Sequence, residues 1–400
     1  MTTTSDPAPT SSTTPTTPTD LATGRREGGL GPILALAAGI AVLVSSEFLP
    51  AGVLPSLAAD VGVSEGTAGL AVAATAIAGA FTAPSIAVLL PRTDRRTVLV
   101  GLLVVAAVAN LAVALAPSFL LLLLGRLVLG IAIAGYWSFA FGAGTVASPG
   151  RDHVVATSIA LGVTGATIVG VPLGSLLGDA IGWRSVFALA AGLSLVSALV
   201  LARMLPSVPA SPGAGFAMLR RALANRHLMA GIGAVMLVAF GNFAAYPFIR
   251  LAIDEVDPGA TTWLLLLWGA GGLVGNLTAG RFAAHLRVVA AVAPVLLAAS
   301  LLVTAQATTV PVLALGIFVW GLAFNAVPVA TQLWVTRVEP EHAESAVALQ
   351  VTAFQVAITL GAASGGALVD AHGVVTALAL GAGLAAGGGV VFAALRDARA

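Results

Sequence analysis

Residues 154–184 read VVATSIALGVTGATIVGVPLGSLLGDAIGWR. No charged side chain falls between Val154 and Gly178. As a helix at 1.5 Å per residue that interval is about 37 Å long, enough to cross a hydrocarbon core of about 30 Å. Small residues recur every fourth position at Ser158, Gly162, Ala166, Gly170, Gly174 and Gly178, a stripe that lets a neighbouring backbone approach closely. Pro172 removes one backbone donor inside the stripe and can bend the helix. The segment reads as a membrane-crossing helix with one face shaped for tight packing.

The same stretch has a copy. A shift of 191 residues carries Gly170, Gly174, Leu177, Asp179, Ala180 and Gly182 onto Gly361, Gly365, Leu368, Asp370, Ala371 and Gly373. It also carries Leu124, Gly125, Val128, Gly130 and Ala132 onto Leu315, Gly316, Val319, Gly321 and Ala323, and Arg96 onto Arg287. One register across three segments points to a duplication. Apolar stretches of spanning length fall at 32–55, 66–90, 97–116, 118–143, 154–180 and 184–204, then at 227–250, 260–284, 286–306, 310–335, 343–368 and 373–395. The expected fold is all-α and membrane-embedded, with twelve transmembrane helices as two six-helix pseudo-repeats. Two same-orientation copies imply an axis along the membrane normal and a substrate site between them near mid-membrane.

Composition agrees and excludes much else. The 400 residues are 58% hydrophobic and 9% charged, against about 25% charged in a typical soluble domain. Cys is absent and all 18 basic residues are Arg, so disulfides, thiolate metal sites, cysteine nucleophiles and lysine Schiff bases have no carriers, and the five His are scattered without metal-ligand spacing. No metal, no cofactor and no nucleic-acid partner is expected. An enzyme would need a reactive constellation, and the spans offer none.

Charge sorts by loop. With both termini cytoplasmic, the inner side holds Arg25, Arg26, Arg92, Arg95, Arg96, Arg151, Arg203, Arg220, Arg221, Arg226, Arg281, Arg287, Arg337, Arg396 and Arg399, which is 15 of the 18. The outer side has Arg184 and Arg250 with seven acids, Asp60, Glu65, Asp179, Asp254, Glu255, Asp257 and Asp370. That is the positive-inside pattern. The expected organisation is a disordered Thr/Pro-rich cytoplasmic tail at 1–30, a six-helix bundle at 31–204, a cytoplasmic linker at 205–226 and a second bundle at 227–400. The tail has no basic start and no apolar run before Leu30, so it is not expected to act as a cleavable signal peptide.

Two ionisable residues lie deep in the spans, Glu47 and Arg126, each about 12 Å below the outer surface at 1.5 Å per residue. They are placed to meet. A fixed structural ion pair is one reading; proton coupling through Glu47 is the other, since a carboxylate near an Arg is a suitable carrier. The duplicated position of Arg126 is Ile317, so the fold does not require the charge. Candidates for lining a central cavity are Tyr136, Trp137, Asn242, Phe243, Tyr246, Asn325, Gln332, Gln350 and Gln355. Amides with aromatic faces suit a planar, uncharged, hydrogen-bonding solute. Span 11 repeats the small-residue stripe at Ala353, Ala357, Gly361 and Gly365. Gly162, Gly170, Pro172, Gly174, Gly361 and Gly365 are expected to form the joint on which the halves rock.

At these residues the sequence resembles the major facilitator superfamily, and within it the twelve-span drug:proton antiporters. Gly162 through Gly170-Val171-Pro172-Leu173-Gly174 to Gly182-Trp183-Arg184 is similar to that group's antiporter motif; Arg126 with Gly130 resembles its span 4 motif, whose Arg is implicated in proton coupling. Glu47-Phe48-Leu49-Pro50 resembles span 1 of sugar and nucleoside exporters. The loop between spans 2 and 3 departs from the superfamily pattern, with Pro84 and Arg92-Thr93-Asp94-Arg95-Arg96 in its place; Gly275-Asn276 to Gly280-Arg281 keeps a partial version. The run Trp320-Gly321-Leu322, Val327-Pro328-Val329, Trp334-Val335-Thr336-Arg337 and Gln350-Val351 resembles bacterial purine ribonucleoside efflux permeases. The resemblance implies a monomer in the bacterial inner membrane that expels small uncharged solutes, purine ribonucleosides such as inosine or guanosine first among them, in exchange for protons by alternating access. The alternative on the same scaffold is a drug (amphenicol-like) or sugar efflux antiporter.

Overall fold

The computed structural model describes residues 29–209, 223–282, 285–339 and 343–395, together with Thr2. Most of the tail, residues 210–222 of the linker, and Arg25, Arg26, Arg220, Arg221, Arg396 and Arg399 lie outside the described residues. Among the described residues twelve apolar helices are long enough to cross a membrane: α1 Leu30–Val61, α2 Glu65–Ile86, α3 Arg95–Ala114, α4 Phe119–Ala147, α5 Asp152–Ile181, α6 Trp183–Met204, α7 Arg226–Asp254, α8 Pro258–Arg281, α9 Leu286–Ala305, α10 Val310–Val338, α11 Ala346–His372 and α12 Val374–Ala394. The chain is a multi-pass membrane protein. Large apolar side chains such as Leu115, Leu120, Leu161 and Val390 face outward, as a lipid-facing surface requires.

The main departure from the expected spans is α1, which runs six residues further than its hydropathy suggests, through Pro50 and Pro55 to Val61. Each Pro deletes an N–H without forbidding helix on both sides, and the kink is absorbed at Val53 (φ −120°, ψ 16°). Gly62, at φ 70°, then stops the helix.

Packing repeats with a six-helix offset. In the first half α1 packs on α5 and α6, α2 on α4, and α3 on α4 and α6; in the second, α7 packs on α11 and α12, α8 on α10, and α9 on α10 and α12. Between halves α2 meets α11 and α5 meets α8, with α1 against α7 at the centre. Details repeat too. Gly182 (φ 84°) and Gly373 (φ 83°) turn the chain between the last two helices of each half, a conformation that disfavours any side chain. Arg96 donates to Ala202 O, and Arg287, 191 residues on, donates to Ala393 O.

Successive helices alternate in direction, so one end of the bundle is arginine-rich and the other acidic. At the arginine-rich end Arg95 N donates to Val208 O at 2.8 Å and Ser207 Oγ to Asp94 Oδ2 at 2.5 Å. Slight burial pushes the Asp94 carboxyl up, but bonds from Ser207 and from the N–H groups of Thr97, Val208 and Arg96 outweigh it and hold the group below the usual aspartate range. The first residues after α6 are thereby docked onto the α2–α3 loop. At the acidic end Trp183 Nε1 donates to Asp60 Oδ2 at 3.0 Å, and Arg184 pairs with Asp60 while lying over the Trp183 ring.

Candidate functional site

Arg126 is fully buried in α4, and its guanidinium bonds backbone: Nη1 to Ser46 O at 2.7 Å, Nη2 to Glu47 O and Nε to Ala71 O at 2.8 Å. The cause lies in the sequence. In a regular helix the carbonyl of Ser46 accepts from the amide four residues on, but residue 50 is Pro and has none. Arg126 supplies the missing donor and ties α1 to α2 and α4. Asn110 Nδ2 of α3 completes the network by donating to Ser46 Oγ at 3.1 Å. In the second half the corresponding residues are Leu237, Gly241, Leu301 and Ile317. Gly241 restores the amide and apolar packing replaces the whole network.

The expected meeting of Glu47 and Arg126 therefore occurs through the Glu47 backbone. The Glu47 carboxyl, on a residue 7% exposed, makes no hydrogen bond or ion pair among the described residues. A carboxylate fixed in an ion pair with Arg126 is not what the geometry contains.

Next to it α1 and α7 meet through rings. Phe48 stacks on Phe243 (centroids 6.0 Å apart, planes 16°) and meets Tyr246 edge-on at 5.5 Å. Phe243 in turn packs edge-on against Phe324 and Phe354, and Tyr246 lies 4.8 Å from Trp268. The cluster draws on α1, α7, α8, α10 and α11, so both halves contribute. Phe48 enters the sequence reading only within the motif at 47–50, and Trp268, Phe324 and Phe354 give no signal in sequence beyond being aromatic.

The other expected lining residues divide. Asn242 is fully buried and accepts from Trp320 Nε1 at 2.7 Å, leaving its own Nδ2 without a partner. Gln350 Nε2 donates to Thr331 Oγ1 at 2.8 Å and its Oε1 is unpartnered. Gln355 packs against Gly79 of α2, across the halves. Asn325 turns back to its own helix, donating to Gly321 O at 2.9 Å. Tyr136 does not face the centre: it fills the space over Gly39 between α1 and α4 and donates to Leu36 O at 3.1 Å. Trp137 and Gln332 are exposed and take no part in the aromatic cluster.

The glycine stripes pack, but within each half. Gly162 faces Ala37 O, Gly170 faces Ser45 and Gly174 faces Leu49, all on α1. Gly361 and Gly365 face Phe240 O and Ala244 O on α7. Contacts between the halves fall at other residues of the helices that carry the stripes. Gly366 of α11 meets Gly66 of α2, and Gly269 of α8 meets Ile168 of α5. Ile168 sits in a π-helical turn at Ala166–Gly170, just before Pro172.

The acidic end is tied across the halves by two aspartates that are themselves a duplicated pair. Asp179 of α5 receives Arg250 Nη2 of α7 at 2.8 and 3.0 Å, while Arg250 Nη1 donates to Gly52 O at 2.7 Å and Ser175 Oγ at 2.9 Å. Asp370 of α11 receives Ser64 Oγ at 2.6 Å and Gly66 N at 2.9 Å, capping the start of α2.

The sequence pattern of the major facilitator superfamily matches residues 34–249 and 229–400. The purine ribonucleoside efflux pump NepI of Salmonella paratyphi B is 36% identical over 361 residues, covering 88% of this chain and 90% of that protein. The pump of the same name from Salmonella typhimurium is 36% identical over 358 residues, with the same coverage. Among solved structures, the D-xylose–proton symporter superposes with a TM-score of 0.73 at 15% identity, over 92% of this chain and 97% of that one. An inward-facing bacterial homologue of the human lysosomal transporter Spinster gives 0.72 at 16% identity, over 92% and 95%.

Proposed function

Since the chain belongs to the major facilitator superfamily and is a transporter rather than an enzyme, we propose that it expels purine ribonucleosides in exchange for protons by alternating access. The observation that carries the proposal is Glu47, a residue only 7% exposed whose carboxyl makes no hydrogen bond or ion pair among the described residues, beside an aromatic cluster shared by the two halves. An ionisable group inside a membrane costs about 2.5–3.5 kcal/mol on insertion scales, and here the charge of Arg126 acts on the Glu47 carboxyl without direct contact between the two side chains. Such a group is suited to take up and release a proton. The ring faces of Phe48, Phe243, Tyr246 and Trp268 suit a flat heterocycle, and the relatives at 36% identity bear the name of purine ribonucleoside pumps.

In this reading residues 31–204 and 227–400 are the two moving bundles and 205–226 the linker between them. The arginine-rich end and both termini are cytoplasmic, and the chain works as a monomer in the bacterial inner membrane. The halves rock on the α2–α11 and α5–α8 contacts, and the Asp179–Arg250 and Asp370–Ser64 ties close the outer side. Glu47 carries the proton; Arg126 holds the kinked part of α1 that presents it.

The test is uptake into inverted membrane vesicles that are acid inside, with labelled nucleosides, sugars and amphenicols side by side. Gradient-driven uptake of inosine or guanosine is expected. Uptake of an amphenicol or a sugar with no nucleoside uptake would assign the scaffold to drug or sugar efflux.

A further inference from the structure

The chain has two tyrosines, both buried, and they are treated differently. The Tyr136 hydroxyl donates a hydrogen bond to Leu36 O. The Tyr246 hydroxyl, on a residue 2% exposed, has no hydrogen-bond partner among the described residues. Its ring neighbour Trp268, 4% exposed, also has an unpartnered Nε1–H. Two rings in contact in the second half thus each carry an orphaned donor, and Phe48 of the first half packs edge-on against one of them, Tyr246.

A buried donor without a partner bears the full cost of its desolvation, whereas an apolar group of the same shape bears none. Phe at either position would keep a ring and remove that cost. Indole nitrogen is a donor only, so whatever completes Trp268 must bring an acceptor. The near-parallel faces of Phe48 and Phe243 belong to opposite halves and offer a flat ring two stacking surfaces once the halves part.

We propose that Trp268 Nε1–H and Tyr246 Oη–H are the specificity-determining donors of the transport site, reading a ring-nitrogen acceptor of a purine held between Phe48 and Phe243. This rests on the nucleoside reading above and narrows it. Solutes that stack but lack the acceptor are discriminated against, because the two donors then stay unpaired in the loaded state as well.

The experiment compares inosine with 3-deazainosine and 7-deazainosine, each with one ring nitrogen replaced by C–H, in transport by wild type, Tyr246→Phe, Trp268→Phe and Tyr136→Phe. Thermal stability of the purified, substrate-free proteins is measured alongside. Wild type is expected to favour inosine over at least one deaza analogue by about tenfold in KM, the order of one hydrogen bond. Tyr246→Phe and Trp268→Phe each raise KM for inosine several-fold and leave that analogue where it was, so the preference narrows in both. Tyr246→Phe conserves volume and is at least as stable as wild type when empty. Tyr136→Phe loses a made bond, melts lower and keeps the wild-type preference.

Preferences unchanged in both Phe variants, with wild-type inosine transport intact, overturn the donor assignment and leave the nucleoside reading standing. A Tyr246→Phe protein that melts as low as Tyr136→Phe also overturns it, because that hydroxyl would then have a partner within the protein. A wild type that moves none of the three purines overturns both proposals.

Discussion

Arg126 shows how one missing amide shapes a membrane protein. Pro50 strips the Ser46 carbonyl of its helical donor, and an Arg from α4 replaces it while bonding two more carbonyls. Arg126→Ala leaves those acceptors bare in a dry interior, and a loss of about 3–5 kcal/mol is expected. Pro50→Ala returns an N–H to Ser46 O, so the double variant should be less destabilised than the sum of the singles, with a coupling of about 1 kcal/mol. Thermal unfolding in detergent measures it; strict additivity would show that Pro50 and Arg126 are unrelated. The depth of Glu47 and Arg126 is legible in sequence because charge is rare in the spans. Their mode of contact is not: the spacing that lets side chains meet equally lets a guanidinium reach backbone, and only the link from Pro50 back to Ser46 favours the second.

At the scale of the helix, the small-residue stripe of α5 is legible as a packing face, and the structure finds one there. Its partner is not legible, because glycine periodicity says that a backbone comes close without saying which. A Cβ on Gly365 would meet the Ala244 carbonyl, a backbone atom, whereas one on Gly174 would meet a Leu49 methyl that can move. Gly365→Ala should therefore cost about 1–3 kcal/mol and Gly174→Ala clearly less, read as unfolding temperature; the reverse order would contradict this packing. The aspartates ending α5 and α11 are visible in sequence only as a repeated letter, since their partners Arg250 and Ser64 are distant along the chain. The Asp179→Asn/Asp370→Asn pair should loosen the acidic end. As the chain contains no cysteine, Ala245→Cys, buried one helical turn beyond Arg250, reports on it. An impermeant thiol reagent applied from the acidic side should label that cysteine several-fold faster in the double variant, and an unchanged rate would mean that the ties do not hold the end shut.

For the whole molecule, twelve helices and their duplication follow from hydropathy and a single 191-residue register, because in a membrane every spanning segment must satisfy its own backbone. What the register hides is divergence inside it: the first half keeps Glu47, Arg126 and Asn110, and the second holds Val238, Ile317 and Leu301 at those positions. The proposed orientation rests on arginine sorting, and reporters fused after Arg151 and Arg287 should read cytoplasmic while those after Glu65 and Asp257 read external; an external signal after Arg287 would contradict the two-by-six arrangement. The central claim is that Glu47 is the proton carrier of an exporter. Glu47→Gln keeps shape and hydrogen bonding, removes titration and leaves the three bonds of Arg126 intact, so normal expression is expected. In inverted vesicles that are acid inside, the variant should exchange labelled for unlabelled inosine yet accumulate none against its gradient, while wild type does both. Gradient-driven accumulation by Glu47→Gln at the wild-type level would contradict the account.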